Sequence, residues 1–387
     1  MGQARARRAV VYCAGVAWDA VQGTDRHLAR SLARDVDVLW VDPPVSAWRR
    51  ASRREPRAAG RARGLIDVGD HTTRLVTIGP PFPSRAAVLP ATQTLMRRSI
   101  RAAVRRTRAD VIATIVSTPL QPLRVVGGRQ VYYATDDFVA GAALMGLSRA
   151  MVVRSEAARL READLLAGVT PQIVDHWPER GTPTMVLPNG CDVAAYASVD
   201  DSSRPSDVSL PRPVAGVVGQ LSERLDLALI EAVASRGISV LLVGPVQAGF
   251  EGALEALTAR PNVTWVGRKE LAQLPSYLRL MDVGLTPYAD SDFNRASFPL
   301  KTLEYLAAGR PVVSTPLPAV DWLGTPLVAV GRGPEEFASV TEKAVGLAAS
   351  PGVAARAREF AGRHSWDARA DQLLAAIDGL GPGATPR

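Results

Sequence analysis

Short, wholly apolar runs alternate along the chain with longer stretches of helical period. In the first half the runs are AVVYCAG (9–15), VDVLWVD (36–42), TRLVTIG (73–79), DVIATIVS (110–117), QVYYATD (130–136), DLLAGVT (164–170) and TMVLPNG (184–190). Helical periodicity fills 24–34, 86–108 and 149–162. In the second half the strand-like runs are PVAGVVG (213–219), ISVLLVG (238–244), VTWVG (263–267), DVGLTPY (282–288), PVVST (311–315) and PLVAV (326–330). Helices are predicted over LDLALIEAVASRG, KELAQLPSYLRLM and PLKTLEYLAAG, and again near 334–349 and 366–378. Strands that lack polar alternation and are separated by helices predict parallel sheets covered on both faces.

One segment breaks the rhythm. DDSSRPSDVSLPRP (200–213) is polar and proline-rich, the signature of a linker. The reading is an α/β chain of two doubly wound, Rossmann-like domains facing across a cleft. These are an N-terminal domain over 1–199, a linker over 200–213, a C-terminal domain over 214–365, and a last helix with its tail over 366–387. A length of 387 residues suits such a pair. In open α/β sheets, ligands sit beyond the carboxyl ends of the strands at a switch in strand order.

Composition removes several alternatives. With 47% hydrophobic and 22% charged residues the chain is neither disordered nor fibrous. Cys13 and Cys191 are far apart and lack metal-ligand spacing, which argues against a zinc site or a disulfide and fits a reducing cytoplasm. No run reaches the ~18–20 apolar residues of a membrane helix. The apolar start is short, with Asp19 and Asp25 following, so it reads as the first core strand rather than a signal peptide.

The net charge is +8, and only Lys269, Lys301 and Lys343 are lysines, so arginine dominates as a compositional bias. WRRASRREPRAAGRAR (48–63) carries seven arginines and one glutamate. Two readings stand: a solvated loop, or a basic loop meeting an anionic acceptor or the inner face of a membrane. Nucleic acid is not expected, because no stacking aromatic beyond Trp48 is interleaved with these arginines.

The segment SFPLKTLEYLAAGRPVVSTP (297–316) carries the clearest chemistry. Pro299 suits a first helical turn, Gly309 a left-handed cap, and Leu300, Leu303, Leu306 and Ala307 a buried stripe. Lys301 opposes the helix dipole by roughly 0.3–1 kcal/mol unless an anion such as a diphosphate sits there. Glu304, one turn deeper, would then accept from ribose or sugar hydroxyls. The other reading is an exposed Lys–Glu pair. Arg224 similarly places positive charge at the strand-to-helix turn after PVAGVVG, near Gly216 and Gly219. Neither the G-x-G-x-x-G fingerprint nor a Walker pattern is present, which argues against nicotinamide, flavin and P-loop chemistry.

In the first half, Asp136 and Asp137 end the strand QVYYAT. They could serve as acid/base groups for an acceptor hydroxyl, or Asp137 could cap a helix before Phe138. Trp18 sits in the first strand-to-helix loop and either stacks on a sugar or acceptor or packs against the second domain. His27 either faces the acceptor or is a partly exposed helix residue, and no histidine has metal spacing.

DVGLTPY followed by FPLKTLEYLAAGRPVVSTPLPAV resembles the nucleotide-sugar site of GT-B glycosyltransferases. The likeness is to family 4 and to bacterial teichuronic-acid and surface-polysaccharide enzymes. LLVGP, PNVTWVGRKELAQLPSYLRLMDVGL and LPNGCD add to it, and HSWDARADQLL resembles the last helix that crosses back to the first domain. The resemblance implies that Glu304, the second glutamate of an E-x7-E motif, contacts the ribose. It implies that Gly244, with Gly267 and Arg268, lines base and ribose, and that Arg224 lies near the diphosphate with Lys301 adding charge. Ser297 and Arg295 would share that space, and Gly15 would lie close to the transferred sugar. The first glutamate position falls on Ala296 and one arginine position on Gln220, leaving stereochemistry open. The implied co-substrate is a UDP, GDP or dTDP sugar, with no metal and no further cofactor. The acceptor would be a glycan, a lipid-linked intermediate or a small molecule. An epimerase of the same fold and a non-catalytic nucleotide-sugar binder are the alternatives.

Overall fold

A computed structural model describes residues 7–20, 23–46, 64–179, 181–298 and 300–380. The basic stretch 48–63 and Pro299 lie outside the described residues. The chain divides into two units, Met1–Pro188 with Trp366–Arg387, and Asn189–Ser365.

The first unit is built on strands β1 (Arg8–Cys13), β2 (Asp37–Val41), β3 (Val45–Ser46), β4 (Leu65–Asp67), β5 (Thr72–Leu75), β6 (Ile78–Gly79), β7 (Asp110–Val116), β8 (Arg129–Ala134), β9 (Leu165–Gly168) and β10 (Thr184–Val186). Eight of them form one sheet in the order β10-β9-β8-β7-β1-β2-β5-β4, while β3 and β6 pair separately. The main sheet is parallel except for β4, which runs antiparallel to β5 at the edge. Strand order switches between β1 and β7, which pair in parallel. Val10 to Cys13 are fully buried, because helices cover the sheet and, past the exposed Arg8, side chains on both faces of the strand meet a packed layer.

The helix Trp366–Gly379 belongs to this unit and packs on the helix Thr24–Leu32. Trp366 stacks on His27 at 5.3 Å between ring centroids. Arg34 bridges Asp367 at 2.6 Å and Asp371 at 2.9 Å. These contacts join residues more than 300 positions apart to the first helix, and the last helix is part of the first unit's shell.

The second unit holds β11 (Val214–Val218), β12 (Ser239–Val243), β13 (Val263–Trp265), β14 (Val283–Thr286), β15 (Val312–Ser314) and β16 (Val328–Val330). All pair in parallel in the order β13-β12-β11-β14-β15-β16, with the switch between β11 and β14. The helices Leu227–Ser235 and Gly333–Ala348 pack together against the sheet, around Leu229, Ile230, Val233, Phe337 and Val283. The polar stretch 200–213 lies within this unit, where Asp200 pairs with Arg310 and Arg358.

Most expected elements are present with trimmed ends. The expected helix over KELAQLPSYLRLM is instead a short 3-10 turn, Leu271–Gln273, followed by the helix Leu274–Leu278. Pro275 lacks the N–H that a longer continuous helix would use. The edge strand β4 and the helix Val353–Gly362 were not expected.

Candidate functional site

The turn after β11 meets the turn after β14. Leu225 and Tyr288 form a single antiparallel bridge, and Ala289 N donates to Arg224 O at 2.9 Å. The short helix Asp292–Ala296 follows, its first turn closed by Ser291 Oγ accepting from Asn294 N at 3.2 Å.

Arg224 is held at this junction. Its Nε donates to Asn294 Oδ1 at 2.9 Å and its Nη2 to Ser297 Oγ at 3.3 Å. The guanidinium lies over the rings of Phe293 and Tyr288, at 4.7 and 5.4 Å from their centroids. Among the described residues no carboxylate pairs with it. Arg295, expected to share this space, is instead bound at the surface to Asp290 and Asp292. A half-buried cation held only by neutral groups retains its full charge for an anion.

At the carboxyl edge of the same sheet, glycine backbone packs directly on glycine backbone. Gly219 N donates to Val243 O and Gly244 N to Gly267 O, both at 2.9 Å. A Cβ on Gly244 would fall 1.7 Å from Gly219 O, and its φ of +150° suits glycine alone. Trp265 Nε1 donates to Gly244 O at 2.9 Å, and the indole is 43% exposed. Arg268 follows directly, its side chain outward near Glu270 at 3.8 Å.

The helix Leu300–Ala307 is buried nearly all round, from Thr302 to Ala307. The alternative reading of an exposed Lys–Glu pair holds for the pairing and not for the exposure. Lys301 does pair with Glu304, but Glu304 is only 6% exposed. The side chain of Tyr196, from the helix Val193–Tyr196, also hydrogen-bonds Glu304. Burial first, and the Glu304 charge second, push the Tyr196 phenol far up, so it stays a donor. Gly309, at φ +78°, ends the helix as expected. Ser297 Oγ donates to Phe293 O at 2.8 Å while accepting from Arg224.

In the first unit, Gly15 lies at the β1/β7 switch, and its N–H turns inward. It donates to Asp25 Oδ2 at 2.7 Å and approaches Ser117 Oγ at 2.9 Å. Tyr12 OH donates to Asp25 Oδ1 at 3.0 Å and Ser117 Oγ to Oδ2 at 2.9 Å. Burial pushes the Asp25 carboxyl up, opposed by these hydrogen bonds.

Trp18 packs within its own unit, edge-on to Trp40 at 5.1 Å, with Arg26 over its face at 4.6 Å. His27 is not partly exposed as expected: it is 8% exposed, because Trp366 lies flat on its ring. Asp137 Oδ1 accepts from Val139 N at 3.1 Å and Ala140 N at 2.8 Å, a local turn cap. Asp136 precedes it, half-buried, just beyond the end of β8. Asp25, Asn294 and Tyr196 had not been singled out from sequence. An acid in a first helical turn was a weak signal for Asp25 alone. Among the described residues no group of three His, Cys, Asp or Glu could hold a metal.

Residues 212–348 match the family model for group 1 glycosyl transferases, a stretch that contains Arg224, Gly244, Asn294 and Glu304. TuaH of Bacillus subtilis (strain 168), provisionally named a teichuronic acid biosynthesis glycosyltransferase, is 32% identical over 166 residues. That match spans 42% of this chain and 42% of TuaH, so the chain spans about two fifths of this relative. The sucrose-phosphate synthase of Thermosynechococcus elongatus superposes with a TM-score of 0.72 at 15% identity, covering 96% of this chain and 98% of that one. Anabaena HepE in complex with UDP and glucose gives 0.63 at 15% identity, covering 96% and 99%. At such identities the likeness concerns the fold: two Rossmann-like units of the GT-B glycosyltransferase type.

Proposed function

We propose that the chain is a metal-independent, hexosyltransferase-like glycosyltransferase that moves a sugar from a nucleoside-diphosphate donor to an acceptor hydroxyl. The observation that carries this reading is Arg224, a half-buried guanidinium that, among the described residues, has no carboxylate partner at the β11/β14 switch. A diphosphate supplies the missing charge, and as the leaving group it gains negative charge during transfer. The half-buried glycine backbone at Gly219 and Gly267, packed on the buried Gly244, gives the base and ribose close approach. Glu304, oriented by Tyr196 and Lys301, accepts from ribose hydroxyls, and Lys301 keeps two further N–H donors for phosphate.

One of the aspartates at the end of β8, Asp136 or Asp137, is the acceptor-side base of this proposal, and Asp137 Oδ1 also caps its own turn. TuaH supports a surface-polysaccharide or lipid-linked acceptor, and the basic stretch 48–63 supports an anionic or membrane-associated one at the inner face. Among the described residues no helix is long and apolar enough to cross a membrane.

Thermal unfolding in the presence of UDP, GDP, dTDP, ADP or NAD tests the donor site. A ligand at a hundredfold excess over its dissociation constant stabilises by about 2.7 kcal/mol. Stabilisation by one diphosphate is expected, and stabilisation by NAD alone would overturn the reading. With that donor class, nucleotide release that requires an acceptor marks a transferase, and acceptor-independent release an epimerase.

A further inference from the structure

Arg224 could reach its place in many rotamers, and one side chain removes that freedom. Asn294 is 2% exposed, and both ends of its amide are engaged on Arg224 and the adjoining turn. Its Oδ1 accepts from Arg224 Nε at 2.9 Å, and its Nδ2 donates to Arg224 O at 3.1 Å and to Ala289 O at 2.8 Å. One amide thus fixes both ends of the same arginine, its backbone carbonyl and its guanidinium. Ser297 and the Phe293 and Tyr288 rings restrain the remaining edge and the faces.

Of the five guanidinium N–H groups, one on Nε and one on Nη2 are engaged, which among the described residues leaves both on Nη1 and one on Nη2. A neutral amide achieves this orientation without cancelling the charge, as a carboxylate at the same position would. Arg212 and Arg260, bound to Asp282 and Glu231, show that alternative elsewhere in the unit.

We propose that Asn294 is a positioning residue: it pre-orients Arg224, still fully charged, toward the diphosphate of the donor. The inference rests on the diphosphate reading of Arg224. It locates part of the donor affinity in a residue that need not touch the ligand, because an arginine already immobilised loses less side-chain freedom on binding.

A double-mutant cycle read by calorimetric titration tests it, using the nucleoside diphosphate that best stabilises the protein and its parent nucleoside. Arg224→Ala is expected to weaken the diphosphate about 10- to 100-fold, and Asn294→Ala about tenfold. Asn294→Ala should change nucleoside affinity less than about twofold, and add less than about twofold in the Arg224→Ala background. Asn294→Asp, of nearly the same size, should weaken the diphosphate at least as much, because its charge neutralises Arg224.

Equal weakening of nucleoside and diphosphate by Asn294→Ala would overturn the inference, as would additive losses in the double variant. If Asn294→Ala does not fold, unchanged diphosphate affinity in Asn294→Asp would overturn it instead. A wild-type protein that binds no diphosphate, or an Arg224→Ala variant that binds it equally well, removes the donor reading itself. Loss in Arg224→Ala with none in the Asn294 variants removes only the role of Asn294.

Discussion

Each main sheet has a switch between two parallel neighbours distant in sequence, β1/β7 in one and β11/β14 in the other, and each switch has an ionisable side chain beside it. At β1/β7 it is Asp25, whose oxygens accept from Tyr12, Ser117 and the Gly15 N–H. At β11/β14 it is Arg224, whose partners are an amide, a hydroxyl and two aromatic faces. The first network is closed: the donors and acceptors shown are directed at one another, and they shape a loop. The second is open, leaving a cation and three N–H donors without internal partners among the described residues. Two loops at equivalent places in similar sheets therefore do different work, and hydrogen-bond accounting separates them.

Breaking the closed network has the largest expected effect. Asp25→Ala strands the Tyr12 and Ser117 hydroxyls and the Gly15 N–H, and should cost about 2–4 kcal/mol of stability. Denaturant unfolding should show the loss, while diphosphate binding by folded protein changes less than about twofold. Arg224→Ala should do the reverse: stability changes by less than about 1 kcal/mol, and diphosphate affinity falls about 10- to 100-fold.

Smaller effects sharpen the contrast within the second unit. Tyr196→Phe removes a donor to Glu304 and should weaken nucleoside and diphosphate alike, by about threefold. Lys301→Ala should weaken the diphosphate more than the nucleoside, and equal losses would take away its phosphate role. Unchanged affinity in Glu304→Ala would take away the ribose role.

The smallest effect is a difference in acid response. In the first unit, burial pushes Asp25 and Glu156 up. A carboxylate raised on folding contributes stability below its unfolded pKa, and loses it as pH rises through the folded value. In the second unit, the Lys269 hydrogen bond lowers Asp207, while burial of Asp200 is outweighed by Arg310 and Arg358. A lowered carboxylate contributes above its unfolded pKa and loses that as pH falls through the folded value. Both aspartates are about half exposed, so screening keeps the effect small. Hydrogen exchange resolved by unit should show protection falling in the second unit relative to the first as pH drops below about 4.

The architecture was legible because it is written in local periodicity. Runs such as ISVLLVG and PVAGVVG can be fully buried only in covered parallel sheets. The helix Val353–Gly362 escaped because its buried stripe is Val353, Ala357 and Ala361, small side chains with little hydrophobic contrast. Strand β4 escaped because three residues carry no period. In the candidate site, Arg224 and Glu304 stood out as charges at informative helix positions. Asn294 and Asp25 did not, because their meaning comes from partners distant in sequence: Arg224 is 70 residues from Asn294, and Ser117 is 92 from Asp25. Lys301 was readable as a charge, but its engagement with a buried Glu304 was not, since the helix is enclosed by surfaces from the rest of the unit.

The most direct test of the open-network account is a calorimetric titration of wild type and Arg224→Ala with the stabilising nucleoside diphosphate and its parent nucleoside. The account predicts a diphosphate affinity about 10- to 100-fold lower in the variant, with nucleoside affinity and melting temperature nearly unchanged. Equal diphosphate affinity in the two proteins would contradict it, and would mean that the charge at the β11/β14 switch does not serve the donor.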